Sequence, residues 1–537
     1  MTVLVAAYGI AGRWELLRTG AWQPHGTNIF FRLYALHELP YLLVLALFAA
    51  ATALLAWRGA RRGVDATSSL DTLAPPSAAM VGAIALAVFI VTLAATHLVM
   101  HELLFSMDEF SADFQARAFA RGQSAPLIPL PWRSIGVALA PIFVRFNTDT
   151  GRWVSMYMPV YAMLKAPFIV LGLPTVLNPL LGAGSIAALA AAARRIWPDE
   201  GLRPWVAVTL LATSSQLLIT SATGYSMPAH LLLNLVWLWL YLRDDTASWI
   251  ALLVVGVLAL GLHNPVPHAL FAAPFLLRLV RDRRWARAAS AAVVYLAGGV
   301  MWLTWLRWVN PGTASTDTGM LHLFAIPNLF GVWLHGMNVT LLFTWHAPVL
   351  GLLALIALAR PRLLSPVLQD VALGVVLTIG FYMLYPSTQG HGWGYRYAYQ
   401  VIGNIALLAA AGAPAVRAAL GDVWTRRWLS AALALTVLVE LPMRFTETER
   451  FVRPFAAGNA YVRSRDADVV FVHGDRIWYG ADLVRNDPFL VRPIVVRANF
   501  LAPGSADVMR QAIRGRVLEI SDDELLQLGM TPAASGH

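Results

Sequence analysis

Asp108 and Glu109 follow an apolar stretch and open a segment, 107 to 121, whose apolar residues recur at helical spacing. Adjacent carboxylates at the boundary between lipid and water suit proton transfer: one accepts a proton from an incoming hydroxyl while a lipid-borne leaving group sits beside it. A helix N-terminus also favours such a pair through its dipole, so capping competes as an account of both residues. Farther along, Ser387 to Tyr397 crowds His391, Trp393, Tyr395, Arg396 and Tyr397 among three glycines between two apolar stretches. An Arg at the bilayer edge is costly unless paired, and its planar fork suits bidentate binding of a phosphate. The alternative is an aromatic belt with a snorkelling Arg. His263, Asn264 and His268 lie at a break flanked by Pro265 and Pro267. Broken spans are tolerated where they line a polar cavity, although a tight turn explains the break equally well. His97 and His101 are four apart near the acid pair, but no third ligand shares their spacing, so neither a metal nor a cofactor is assigned.

The elements that must position these residues are set by composition. Of 537 residues, 58% are hydrophobic and 13% charged, against roughly 45–50% and about 25% in soluble domains. A soluble globule is excluded. Apolar stretches near the length of a membrane-spanning helix fall at 34–57, 78–100, 178–193, 204–222, 226–243 and 247–263, then at 266–280, 288–308, 340–359, 367–386, 399–417 and 428–443. About twelve spans are expected, forming an all-α bundle over 1–443. Basic residues in short loops stay cytoplasmic, and here Arg58, Arg61 and Arg62, then Arg194 and Arg195, Arg243, Arg281 to Arg287, Arg360 and Arg362, and Arg426 and Arg427 all fall on one face. Both termini then face outward, with the 101–177 loop, the 309–339 loop, the 387–396 loop and the tail. Topology absorbs much of the net charge of +10, so nucleic acid is not a called partner.

Residues 444–537 read as a small α/β domain on the outer face, with strand-like runs at Val469 to Val472, Ile494 to Val496 and Val517 to Ile520 and a helical stretch at 505–514. The absence of Cys excludes disulfides, thiolate metal sites and a cysteine nucleophile. Residues 1–12 lack a basic start and a small-residue cleavage pattern, so no removable signal peptide is expected. In the first outward loop, Met107, Phe110, Phe114 and Ala118 share one face and Asp113, Arg117 and Arg121 another, which predicts an interfacial helix lying on the membrane.

The acid pair followed by Phe-Ser-Ala-Asp113-Phe-Gln-Ala-Arg117-Ala-Phe-Ala-Arg121-Gly122 resembles bacterial polytopic GT-C-fold glycosyltransferases. That group includes protein O-mannosyltransferases, the aminoarabinose transferase of lipid A and Rhizobium-type lipopolysaccharide sugar transferases. The resemblance continues through Gly151 to Pro159, Asn178-Pro179, the Arg194-Arg195 helix end and Gly390 to Tyr397. Two positions depart from it. Met156 stands where relatives carry Lys or His, and Leu262-His263-Asn264-Pro265 stands where Thr-Arg-Pro is usual.

The resemblance implies inverting transfer of a sugar from a polyprenyl-phosphate donor to an envelope glycan, lipid or protein acceptor on the outer face of the cytoplasmic (inner) membrane. Asp108 is then the general base, with Glu109 orienting substrate or sharing the proton. Arg396 stabilises the departing phosphate, with His263 and Lys165, the chain's one lysine, as further phosphate-binding candidates. Tyr157, Asn264, His391, Trp393, Tyr395 and Tyr397 line the substrate cavity. Two other classes fit the same pattern: a transporter or flippase for a lipid-linked sugar, and a catalytically degenerate membrane scaffold.

Overall fold

The structure, a computed structural model, describes residues 34–62, 73–312, 329–386, 389, 392–501 and 515–533. Each of the twelve apolar stretches is mainly helical in its described part. Among the described residues five helices are long and apolar enough to cross a membrane, or up to seven if each of two bent pairs is one span. Shorter apolar helices include Met227–Tyr241 and Thr246–Leu260. Local chemistry sets several starts. Ser77 caps Ala78–Leu98 by accepting from Met80 N at 3.2 Å, and Asp245 caps Thr246–Leu260 through Ser248 N at 2.8 Å.

The stretch expected as one span at 340–359 is instead two helices, Leu329–Thr344 and Pro348–Leu358, with the helical run from Leu334 meeting the second at 110°. Pro348 has no N–H to continue a helix, and the carbonyls freed by the break find other donors. Trp345 O accepts from Ser215 Oγ at 2.9 Å and from Gln216 N at 3.2 Å. Those donors open Ser215–Ser221, itself bent by 49° from Leu202–Ala212. The last apolar stretch runs on well past 443: Asp422–Leu435, a π turn at Thr436–Glu440 and Leu441–Arg463 follow one another without a break. Buried Arg444 anchors this rod to the first described helix through Glu38, at 2.8 and 3.1 Å.

After the rod, the three β-branched runs form strands β3 (Val469–Val472), β4 (Ile494–Arg497) and β5 (Val517–Ile520), following a short antiparallel pair, β1 (Val144–Phe146) and β2 (Trp153–Ser155), in the 101–177 loop. The later three make a parallel sheet in the order β4-β3-β5, with Val469 opposite Ile494 and Val517. Alternation along β3 and β4 sends Val469, Phe471, Ile494 and Val496 into a cluster with Met107, Phe110, Phe114 and Trp153. Val470, Val472 and Val495 face Val452, Phe455 and Val462 of the rod. The helical stretch expected at 505–514 lies outside the described residues.

The helix Met107–Ala120 is therefore covered by the sheet and by β2, with ten of its side chains buried. It does not present the polar face expected of a helix lying on a membrane. Asp113 on that face is buried and held by Lys165 Nζ at 2.7 Å and Arg117 Nε at 2.6 Å, so its charge is met from inside the protein.

Candidate functional site

The start of Met107–Ala120 faces a cleft of about 740 Å³. Its remaining walls come from Ser155 to Met158, the stretch Tyr225 to His230, the break at Leu262 to Asn264, and Arg396 to Gln400. Ser106 begins the helix with a capping box: its N–H donates to Glu109 Oε1 at 3.1 Å and its hydroxyl accepts from Asp108 N at 3.2 Å. This cap points the two carboxylates in different directions. Glu109 turns inward, is fully buried, and also accepts from Gly224 N at 2.7 Å. Burial pushes its carboxyl up to about 7 against the pull of those two N–H groups. Asp108 lines the cleft.

Asp108 Oδ2 accepts from Arg396 Nη2 at 2.8 Å, and Oδ1 accepts from the Tyr157 hydroxyl. Burial works to raise this carboxyl, but Arg396, His263 and the two hydrogen bonds outweigh it and bring it down to about 2. The Tyr157 ring stacks on His263 with centroids 3.9 Å apart.

Arg396 is fixed from three sides. Its guanidinium lies 4.3 Å over the Tyr225 ring, its N–H donates to Gln389 Oε1 at 2.8 Å, and Nη1 donates to Gln389 O at 3.1 Å. Two residues earlier Gly394 takes φ +81°, the left-handed conformation that admits glycine freely. A Cβ there would meet Gln216 at 2.6 Å. Gln216 Nε2 donates to Tyr395 O at 2.8 Å, and its Oε1 lies 3.0 Å from His346 Nε2.

Of the residues singled out in the sequence, the cleft gathers Asp108, Tyr157, His263, Asn264, Arg396 and Tyr397. Asn264 Oδ1 accepts from Val266 N at 3.1 Å, and Tyr397 stacks on Tyr382 at 4.4 Å. Glu109 belongs to the cap, and Lys165 is consumed by Asp113. Tyr395 is fully buried in the bundle core, and Trp393 lines a neighbouring cavity with Arg444 and Glu447. His391 lies outside the described residues. His97 pairs with Glu102 at 2.8 Å and His101 with Glu449 at 3.3 Å. Among the described residues no three His, Asp or Glu side chains come together as a metal site would need.

Tyr225, His230, Tyr382 and Gln400 also line the cleft and escaped the sequence reading. Their one signal was polarity inside otherwise apolar helices, which His230 and Asn234 show in the 226–243 stretch.

The site and the apolar helices are those of a multi-pass membrane protein whose cleft bears a carboxylate paired with a guanidinium. Its fold is similar to the GT-C fold. The crystal structure of ArnT from Cupriavidus metallidurans bound to undecaprenyl phosphate is similar, with a TM-score of 0.52 over 84% of this chain and 90% of that one, at 15% identity. The apo structure of the same ArnT gives 0.50 over the same coverage, at 16% identity. No protein-family model and no curated protein sequence matches.

Proposed function

We propose that the protein transfers a sugar from a polyprenyl-phosphate donor to a hydroxyl-bearing envelope acceptor, in a bundle of about twelve spans whose cleft and tail face the outside. The carrying observation is the Asp108–Arg396 pair in a cleft walled by tyrosines. The undecaprenyl phosphate held by the similar ArnT structure supports a lipid-linked donor.

Paired to Arg396, Asp108 is too weak a base to take a hydroxyl proton. A phosphate entering the cleft competes for the same guanidinium. As Arg396 turns to the phosphate, Asp108 loses the interaction that depresses it and becomes basic enough to act. Donor binding and base activation are then one event. The acceptor O–H proton passes to Asp108 and the acceptor oxygen bonds to the anomeric carbon from the face opposite the phosphate. The carbon–oxygen bond to phosphate breaks, and its electron pair leaves on the polyprenyl phosphate that Arg396 stabilises. The configuration at that carbon inverts. Tyr157 keeps Asp108 aimed at the cleft through its hydrogen bond.

The test is transfer of radiolabel from a panel of synthetic polyprenyl-phosphate sugars to cell-envelope acceptors, by purified wild-type protein, Asp108→Asn and Arg396→Ala. Label should move with wild type and stall with both variants. Consumption of no donor by wild type would reject the transferase.

A further inference from the structure

Val144 N donates to Pro141 O at 3.0 Å and closes a tight turn whose third residue is Phe143. Phe143 takes φ +65° there, the left-handed conformation for which such turns use glycine or asparagine. A bulky side chain in that region is strained. The turn is fixed from behind, because Phe143 O accepts from Ser111 Oγ at 2.8 Å and from Met156 N at 2.9 Å. Glycine would make the same turn and keep both bonds, so nothing in the backbone calls for a phenyl ring here.

Packing does not call for one either. Two other bulky residues share this conformation and are held by their surroundings: Leu490 is buried in the cluster on the C-terminal sheet, and the Tyr479 ring packs 5.9 Å from Phe105. Phe143 is 38% exposed, although its neighbours Ile142, Val144 and Phe146 all turn into that same cluster. Its ring meets Tyr157, with centroids 5.6 Å apart. Strain that packing does not explain, held beside a site, is characteristic of ligand clamps.

Tyr157 shows which side of the reaction this ring serves. Its hydroxyl bonds to Asp108 Oδ1, while Arg396 holds Oδ2 at 2.8 Å, so the two sides of the base differ. Arg396 marks the side of the departing phosphate, and an inverting transfer brings the acceptor from the opposite one. There the cleft wall is Tyr157, and Phe143 stands one ring farther out. Phe143 belongs to the outward 101–177 loop, against β1, and not to a spanning helix. An isoprenoid chain lies along spanning helices, whereas a sugar ring stacks its C–H face on an exposed aromatic and leaves its hydroxyls in water.

Resting on the transferase reading above, we propose that Phe143 is a stacking platform for a sugar ring of the acceptor, which makes the acceptor a glycan and not a protein side chain. The strained turn keeps the ring out of the neighbouring cluster and beside the base.

The experiment has two arms, both on the full chain in nanodiscs. In thermal unfolding without substrate, Phe143→Gly should melt at or above the wild-type midpoint, because strain is relieved, and Phe143→Ala, which keeps the strained φ, should melt below Phe143→Gly. A midpoint for Phe143→Gly below both would mean that the ring supports the fold, and would overturn the proposal. In the radiolabel assay, with donor saturating and the cell-envelope acceptor fraction varied, Phe143→Gly and Phe143→Ala should each raise the half-saturating acceptor concentration by about tenfold, with a smaller change in maximal rate. Phe143→Trp should restore it to within severalfold of wild type, and binding of undecaprenyl phosphate should not move in any variant. An unchanged half-saturation, or an equal loss of undecaprenyl phosphate affinity, overturns the proposal while the transferase reading stands. Periodate oxidation of the fraction, which opens sugar rings, should abolish transfer and protease treatment should spare it; the reverse pattern makes the acceptor a protein and overturns the proposal alone. No transfer by wild type overturns both.

Discussion

Asp108 and Arg396 are 288 residues apart in the chain and meet at 2.8 Å across the cleft. Each controls what the other can do, because the guanidinium that holds the carboxylate is also the cation available to a phosphate. Asp108→Asn should lower transfer by about 10²–10⁴-fold while donor affinity is retained or rises, since Arg396 is released. Arg396→Ala should lower transfer by at least about 10²-fold and weaken donor binding as well. Single-turnover rates measured beside donor affinities separate the two patterns.

The pair also sets a pH dependence. The Asp108 carboxyl sits at about 2 against an ordinary 3.8, so its stabilisation is fully present above the ordinary value and is lost only as pH falls through about 2. Replacing Arg396 by Gln removes the largest influence opposing burial, and burial then drives the carboxyl upward. Infrared titration of the purified protein should show an ionised Asp108 at pH 4 in wild type and a protonated one in Arg396→Gln. An unchanged carboxyl band in the variant would mean that Arg396 does not govern it.

Lys165 illustrates what was legible in the sequence and what was not. As the one lysine, beside an apolar stretch, it invited a phosphate-binding role; its partner Asp113 lies on a different helix, and spacing along the chain carries no sign of that contact. Asp108, Arg396 and His263 were legible because charge and glycine in apolar surroundings are conspicuous. Tyr225 and Tyr382 were not, because a tyrosine in a membrane helix looks like belt until the fold shows what it faces. The apolar stretches located helices well and the bend at Trp345 to Pro348 poorly, because that bend depends on donors from Ser215 and Gln216 that only the tertiary structure supplies. Lys165→Met should destabilise the protein by up to about 3 kcal/mol, because it leaves Asp113 buried with Arg117 alone. The double variant Lys165→Met with Asp113→Leu should regain most of that stability and keep donor consumption within severalfold of wild type. A folded double variant that no longer binds donor would return Lys165 to the phosphate site.

The polar tail reaches the turn before the acid pair through Arg485. This buried side chain donates to Leu104 O at 2.6 Å and Phe105 O at 3.0 Å, fixing the turn that delivers Ser106 and its cap. Arg485→Met strands both carbonyls, at about 1–3 kcal/mol each. The turn then loosens and Asp108 loses its aim. Transfer should fall much more than donor affinity does, as measured by turnover and binding on the same preparation. Equal losses in both would mean that the tail supports the bundle generally and not the acid-pair helix.

Gly394 tests the other half of the pair. Its φ of +81° costs any other residue about 1–2 kcal/mol, and a methyl group there would press into the Gln216 amide at 2.6 Å. The loop cannot retreat freely, because Gln216 also holds Tyr395 O and Gln389 holds Arg396 N. Gly394→Ala must therefore shift Arg396, and a shift near 1 Å at a positioned group costs about 10²-fold in rate. Gln216→Ala added to it removes the steric conflict but also the bond to Tyr395 O, so it should restore thermal stability in part and leave transfer low. If the double variant recovered full transfer, the clash alone would matter, and the Gln216 hydrogen bond would have no part in holding Arg396 against Asp108.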